Sequence, residues 1–486
     1  MRRASVERHG SIARLEMAGV KFMEAKLQPP PAATHSNSPH WWKLLDGTQK
    51  YVFVMASLAW LFDCLGQQVF VIARNPAVAA LMPAGTPPDK LKEWGGYATT
   101  IFVLGWATGG LIFGAVGDRI GRARSLAITI LLYGLCTGLS GFSNSITDFC
   151  LYRFITGLGV GGVFGLAVAL CADSLPDKAR PHALGLLQAL SAFGNIIAGI
   201  AAVCLGYWTM IDPAASGWRA LFIFGALPAL VCVFFQFRMK EPEKWAVARA
   251  QGKIDGVRFG SYASLLGEAR WRKPALFGML LCVAGVVGLW GIGFFSPELV
   301  NYVIGKALTA QHVPAARLPG KRMMWVGLTM IVQNFGSFLG MMTFTKFAHD
   351  YGRKKVFATA AICAYFSTVI AFKFLTEPWQ IFVLLPIMGF FQLALFAGFA
   401  IYLPELFPLR LRSTGTSFCY NVGRFIAASG PFTLGLLQLH LAKGAISTEA
   451  KMDAFRNAAC WVSSIYLLTL LALPFLPETK GQPLPE

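Results

Sequence analysis

One carboxylate and two guanidinium groups stand where the chain is otherwise apolar: Asp63 in WLFDCLGQQVF, Arg153 in LYRFITGLGVGG and Arg424 in SFCYNVGRFIAASGP. An ionisable group inside hydrocarbon is costly to place and marks a functional site by default. A carboxylate held away from water suits reversible protonation, so proton carriage is the chemistry Asp63 suggests. Arg153 is its expected partner. An arginine stays charged, so the pair would hold Asp63 ionised and break on protonation. The alternative is a static ion pair that fixes helix register. For Arg424 three roles stay open: a bidentate site for a carboxylate substrate, a structural pair with Glu298 or backbone carbonyls, or a place outside any cavity. Gln67, Gln333, Asn334, Gln392, Tyr420 and Asn421 are further candidates for contacting a substrate, although some such groups only bond a neighbouring helix.

These residues need apolar helices to hold them. The chain of 486 residues is 55% hydrophobic and 14% charged, against about 25% charge in a soluble domain. A helix crossing a bilayer needs about 20 mostly apolar residues. Twelve runs qualify, near 51–73, 94–116, 124–143, 148–171, 184–207, 218–237, 275–303, 324–347, 355–375, 379–402, 413–439 and 455–476. Counting from Lys50 at 1.5 Å per residue sets Asp63 roughly 20 Å along the first helix, and Arg424 lies roughly 18 Å beyond Arg412. The alternation of a β-barrel is absent.

The net charge of +19 invites a nucleic-acid reading, but apart from Arg153 and Arg424 the positive charge lies in the loops. Its bias places the N-terminus, and with twelve spans the C-terminus, on the cytoplasmic side of the cell membrane. The segments are therefore a cytoplasmic tail over 1–50, a six-helix bundle over 51–237, a basic cytoplasmic linker over 238–274, a second bundle over 275–476 and a tail over 477–486. The first forty or so residues, with PPPAATHSNSP, read as disordered, and Met1, Met17 or Met23 could each be the start. Ten cysteines are scattered singly and without C-x-x-C, as small hydrophobes rather than bridges or metal ligands.

The two bundles carry an internal repeat. GDRIGR (Gly117 to Arg122) follows the second run and HDYGRKK (His349 to Lys355) the eighth, with Gly121 and Gly352 231 positions apart. Asp173, Pro176 and Arg180 after the fourth run recur as Glu405, Pro408 and Arg412 after the tenth, each offset by 232. Two motifs sharing one period predict parallel six-helix repeats with a substrate site between them near the midplane. Asp118, Arg119, Arg122, Asp173, Arg180, Asp350, Arg353, Glu405 and Arg412 then fall at cytoplasmic helix ends, with Gly117, Gly121 and Gly352 among them. There they can pair across helices as a latch that breaks when that side opens; ordinary interfacial charge that sets topology is the alternative.

Within the fourth run, Gly157, Gly159 and Gly162 satisfy the dinucleotide-binding spacing, which has meaning only between a strand and a helix. Here no strand precedes them. Gly157, Gly161, Gly165 and Ala169 form a small-residue stripe instead, suited to close helix packing in a membrane.

GAVGDRIGRAR, YRFITGLGVGG, KEPEKW, YLPELFPLRLRSTG and LPETKG together resemble the major facilitator superfamily, in its branch of sugar porters and metabolite:proton symporters, along all twelve spans. The resemblance implies an all-α membrane protein of twelve transmembrane helices in two pseudo-symmetric bundles, working by alternating access. It also implies that Asp63 and Arg153 match a proton-coupling pair, that Gln188 faces the substrate and that the loop charges form salt bridges between helices. The chain departs from sugar porters at the seventh span, VVGLWGIGFFSPELV, where Trp290, Phe294 and Phe295 replace the amides that grip sugar hydroxyls. The reading is a secondary active transporter that imports a small polar metabolite with protons, an organic acid before a sugar. Its partners are that substrate and the lipid bilayer, with no nucleic acid, no ATP and no cofactor or metal besides the coupling proton, and the chain acts as a monomer. An exporter or uniporter of the same fold is the alternative, and a transporter-like sensor the reading from another class. No P-loop, H-E-x-x-H or nucleophile elbow supports ATP-driven or hydrolytic chemistry.

Overall fold

The computed structural model describes residues 40–212, 217–292, 296–428 and 447–485, together with 437, 440 and 441. The proposed starts, the tail expected to be disordered, Phe294, Phe295 and the far part of the eleventh run lie outside these residues. Residues up to Leu44 form a unit of their own, described only as a single 3₁₀ turn over Trp41–Leu44, and the rest of the chain forms the main body. Among the described residues all regular structure is helical.

The first bundle comprises α1 (Gly47–Leu81), α2 (Pro88–Ile120), α3 (Arg122–Ser140), α4 (Ile146–Ser174), α5 (Arg180–Ile211) and α6 (Trp218–Gln236). The linker holds α7 (Glu243–Ile254) and α8 (Tyr262–Gly267). The second bundle starts with α9 (Ala269–Gly291) and α10 (Ser296–Ala310), which share the seventh span. It continues with α11 (Leu318–Tyr351), α12 (Arg353–Phe374), α13 (Ile381–Glu405), α14 (Arg412–Ala427), α15 (Thr448–Ser463) and α16 (Leu468–Ala472). Ten helical stretches are long and apolar enough to cross a membrane. The other two spans are α11, diluted by Gln333, Asn334 and Ser337, and α14, whose continuation lies outside the described residues. The protein is a multi-pass membrane protein of twelve spans in two six-helix bundles. One expected edge moves: α1 starts at Gly47, because Asp46 and Gln49 form a reciprocal capping box.

The repeat is visible in the backbone. Gly121 and Gly352 break α2 from α3 and α11 from α12 at φ +120° and +95°, values that favour glycine. The two halves meet along two seams. On one, α5 lies along α11, with Gly185 against Thr345, Gly199 against Gly327 and Gly206 against Gly320. On the other, α2 meets α14 through Gly117 and Ser413, Gly114 and Ser417, and Gly110 and Asn421. Behind this seam the glycine stripe of α4 does the packing: Gly157 and Gly161 sit on the backbone around Trp106 of α2, and Gly165 on Ser417 of α14. A side chain at any of these positions would force the helices apart.

Candidate functional site

The end of the molecule bearing GDRIGR and HDYGRKK, here the loop end, is closed by a buried ion network. Arg122 pairs with Asp118 at 3.0 Å and with Asp173, and Asp173 also pairs with Arg412 of the other half. Asp118 accepts from the Ser413 and Thr414 backbone N–H groups at 3.2 and 2.8 Å and from the Thr414 hydroxyl at 2.7 Å. Two acidic groups of the first half thus hold the start of α14 in the second. The repeat supplies the same pair within the second half, Arg353 to Glu405 at 2.8 Å. Arg180 and Arg412 each fold back on carbonyls of the preceding turn, Ala172 and Leu175 for one, Pro404 and Phe407 for the other. Arg180 pairs with Asp177 instead of crossing to the other half. Two expected members stand apart: Arg119 and Asp350 are exposed and enter through their backbone oxygens, which accept from Arg249 and Lys480.

At mid-membrane Asp63 is 0% and Arg424 1% exposed. Asp63 accepts from Gln67 Nε2 at 2.7 Å, one turn along α1. The cation that acts on its charge is Arg424, and Asp63 acts in return on Arg424, across the boundary between the halves. Arg424 donates to the Tyr420 carbonyl at 2.7 Å and to Asn421 Oδ1 at 3.0 Å, and its Nε has no hydrogen-bond partner. Its guanidinium lies over the rings of Trp106 and Tyr420, 4.1 and 4.2 Å from their centroids. Trp106 meets Trp290 edge-on at 5.0 Å, and Phe164 stacks on Tyr420 at 3.9 Å. The centre is therefore one carboxyl group and one guanidinium inside an aromatic wall. That composition suits a flat anion better than a ring of hydroxyl groups.

The structure does not bring Asp63 to Arg153. Arg153 donates to Ser140, to the Cys136 carbonyl and to Thr156, and lies against the rings of Phe70 and Phe222. Phe70 is seven residues past Asp63, so Arg153 sits about 10 Å further along α1 than the carboxylate. Glu298 is likewise no partner for Arg424, since the cations acting on it are Arg74 and Lys92. Of the polar candidates, Gln67, Tyr420 and Asn421 touch the centre, and Trp290 reaches it through Trp106. Gln188 is buried, with its side-chain oxygen unpartnered. Asn334 accepts from Asn195 at 2.7 Å across the seam between α5 and α11. Gln392 donates to Thr368 within its own half at 2.8 Å, which is helix packing. Gln333 offers its backbone carbonyl to Ser337.

Three residues that hold this arrangement are not singled out by the sequence. Trp106, in LGWATGG, carries no signal beyond an aromatic ring among glycines. Glu241 and Glu478 lie in motifs that the resemblance already marked, KEPEKW and LPETKG. What they bind has no side-chain signature: Glu241 accepts from the N–H groups of Arg122, Ala123 and Arg124 at the start of α3. Glu478 does the same for Arg353 and Lys354 at the start of α12. A carboxylate on a helix N-terminus is favoured by both the free N–H groups and the helix dipole. Burial alone would push the Glu478 carboxyl up, but four backbone N–H donors hold it below its ordinary range. Glu478→Gln is expected to lower stability by about 1 kcal/mol at neutral pH. A group with a depressed folded pKa contributes above its unfolded value, about 4.3, and loses that contribution as pH falls through the folded value. Melting curves in detergent should therefore show parent and variant converging in acid.

Comparison with known proteins agrees with this architecture. The sequence profile of the Major Facilitator Superfamily matches residues 75–321. The chain is 28% identical to a probable 4-methylmuconolactone transporter of Cupriavidus pinatubonensis, over 91% of this chain and 93% of that protein. It is 29% identical to the cis,cis-muconate transport protein of Acinetobacter baylyi, over 80% and 88%. Its fold matches the proton:xylose symporter XylE bound to 6-bromo-6-deoxy-D-glucose with a TM-score of 0.67, at 18% identity, over 90% of this chain and 97% of that one. With twelve spans, a repeated loop signature and a buried charged centre between its halves, the chain belongs to the Major Facilitator Superfamily and is a membrane transporter of a small molecule rather than an enzyme.

Proposed function

We propose that this protein imports a flat organic acid together with a proton across the cell membrane, with both termini cytoplasmic and the substrate held between bundles 51–237 and 275–476. The observation that carries the reading is a pair of fully buried ionisable side chains from opposite halves, Asp63 and Arg424, with the Arg424 guanidinium lying 4.1 Å from the Trp106 ring of the half that holds Asp63. In the empty site, ionised Asp63 balances Arg424. A proton on Asp63 leaves Arg424 without a counter-charge, which a substrate carboxylate supplies through a bidentate contact. Loaded and empty sites are then both neutral. A proton without substrate strands a buried cation, and substrate without a proton puts two anions against one; both are expensive in a dry site. That asymmetry ties the two fluxes together. The muconate and methylmuconolactone relatives support an unsaturated organic acid over a sugar. Arg153, bound to Ser140 and Thr156, is a structural group in this mechanism.

Proteoliposomes with an inward proton gradient and labelled cis,cis-muconate or benzoate test it. The parent is expected to accumulate one of these acids, and Asp63→Asn to lose accumulation while retaining exchange of labelled for unlabelled substrate. Accumulation by Asp63→Asn, or indifference of the parent to the gradient, overturns the coupling.

A further inference from the structure

The small residues of α2 that face α14 run Gly117, Gly114, Gly110, each against a residue of α14, and the next position up the seam is Trp106 against Arg424. Trp106 belongs to the first half and Arg424 to the second, and Trp106 is 2% exposed. The other ring on the guanidinium, Tyr420, is on the same helix as Arg424, and its carbonyl oxygen accepts from the guanidinium, so it travels with the arginine. Trp106 does not. Separation of the halves at the loop end, where Asp118 and Asp173 now hold α14, would unzip Ser413, Ser417 and Asn421 from the glycines and then lift the indole off Arg424.

We propose that Trp106 is the specificity-determining residue of the site: it selects flat, conjugated carboxylates and ties their retention to closure of the loop end. The inference rests on the reading of Arg424 as the carboxylate anchor. A bidentate carboxylate lies in the plane of the guanidinium. A conjugated acid keeps its ring or diene in that same plane, so it continues the layer already stacked on Trp106 and Tyr420 at about 4 Å and gains aromatic contact. A puckered saturated ring of the same size breaks the layer. When the loop end opens, Trp106 leaves with α2, one face of the site is lost, and the acid is held by Arg424 and Tyr420 alone. Affinity then falls on the side where release is needed, without a change in the anchoring charge.

Benzoate and cyclohexanecarboxylate share the carboxylate and differ in flatness, so the ratio of their dissociation constants reports the aromatic face. The purified full chain is expected to bind benzoate about five- to tenfold more tightly than its saturated counterpart. Trp106→Phe should keep most of that preference, and Trp106→Leu should reduce it to within about twofold. Asp173→Asn, which touches no part of the site, should reduce the ratio in the same direction by opening the loop end, and it serves where Trp106→Leu does not fold. A ratio unaltered in Trp106→Leu, or unaltered in Asp173→Asn when the halves are shown to separate, overturns the proposal while the carboxylate reading stands. A parent that binds neither acid overturns both.

Discussion

Arg424→Ala is expected to weaken binding of the organic acid by two to three orders of magnitude, the largest single effect at the site. Removing one member of a buried, charged pair costs about 3–5 kcal/mol, because the remaining charge stays dry and unpaired. Here the loss falls twice: the substrate carboxylate loses its bidentate partner, and Asp63 loses the cation that acts on it. Arg424→Lys should recover part of the affinity, roughly a tenth of the parent's, since an ammonium restores the charge but neither the planar fork nor the stacking on Trp106 and Tyr420. Tryptophan fluorescence gives a direct readout, as Trp106 and Trp290 meet at 5.0 Å beside the guanidinium. Binding by Arg424→Ala at the parent's affinity would remove this residue from the site altogether.

Asp173→Asn is expected to have the second largest effect, on conformation first and on binding only through it. Asp173 is the junction of the latch, paired with Arg122 of its own half and Arg412 of the other. Neutralising it leaves two buried guanidinium groups facing each other without their shared anion. The closed form loses several kcal/mol, and a shift of about 3 kcal/mol moves the balance of open to closed forms by roughly a hundredfold. Spin labels at the exposed positions Lys178 and Lys355, one on each half, would report this as a longer distance distribution. An unchanged distribution in the variant would show that the closure is held by the glycine seams and not by charge.

The twelve runs, the repeat and the stripe of α4 were legible because each rests on a periodicity that hydrocarbon enforces. Asp63 and Arg424 were equally visible as charges out of place. What could not be read was who meets whom. Arg153 looked like the partner of Asp63 because both lie deep in their spans, yet depth counted along one helix says little about height against another, and Arg153 settles beside Phe70. The acidic residue that acts on Arg424 lies in the other half, on α1. Glu241 and Glu478 stood in recognisable motifs, but their partners are backbone N–H groups, which every sequence has.

The stretch from Leu476 to Pro485 shows where the latch is most open to interference. Glu478 caps α12, the Thr479 hydroxyl donates to Glu405 at 2.5 Å, and the Pro485 carbonyl accepts from Arg412 at 2.9 Å. Three contacts of the gate thus come from the segment that follows the last span. For a laboratory choosing where to fuse a reporter or an affinity handle, the C-terminal end is not a neutral attachment point. A bulky fusion there pulls on Arg412 through this segment, and rates measured with it would describe a transporter whose gate has been reweighted.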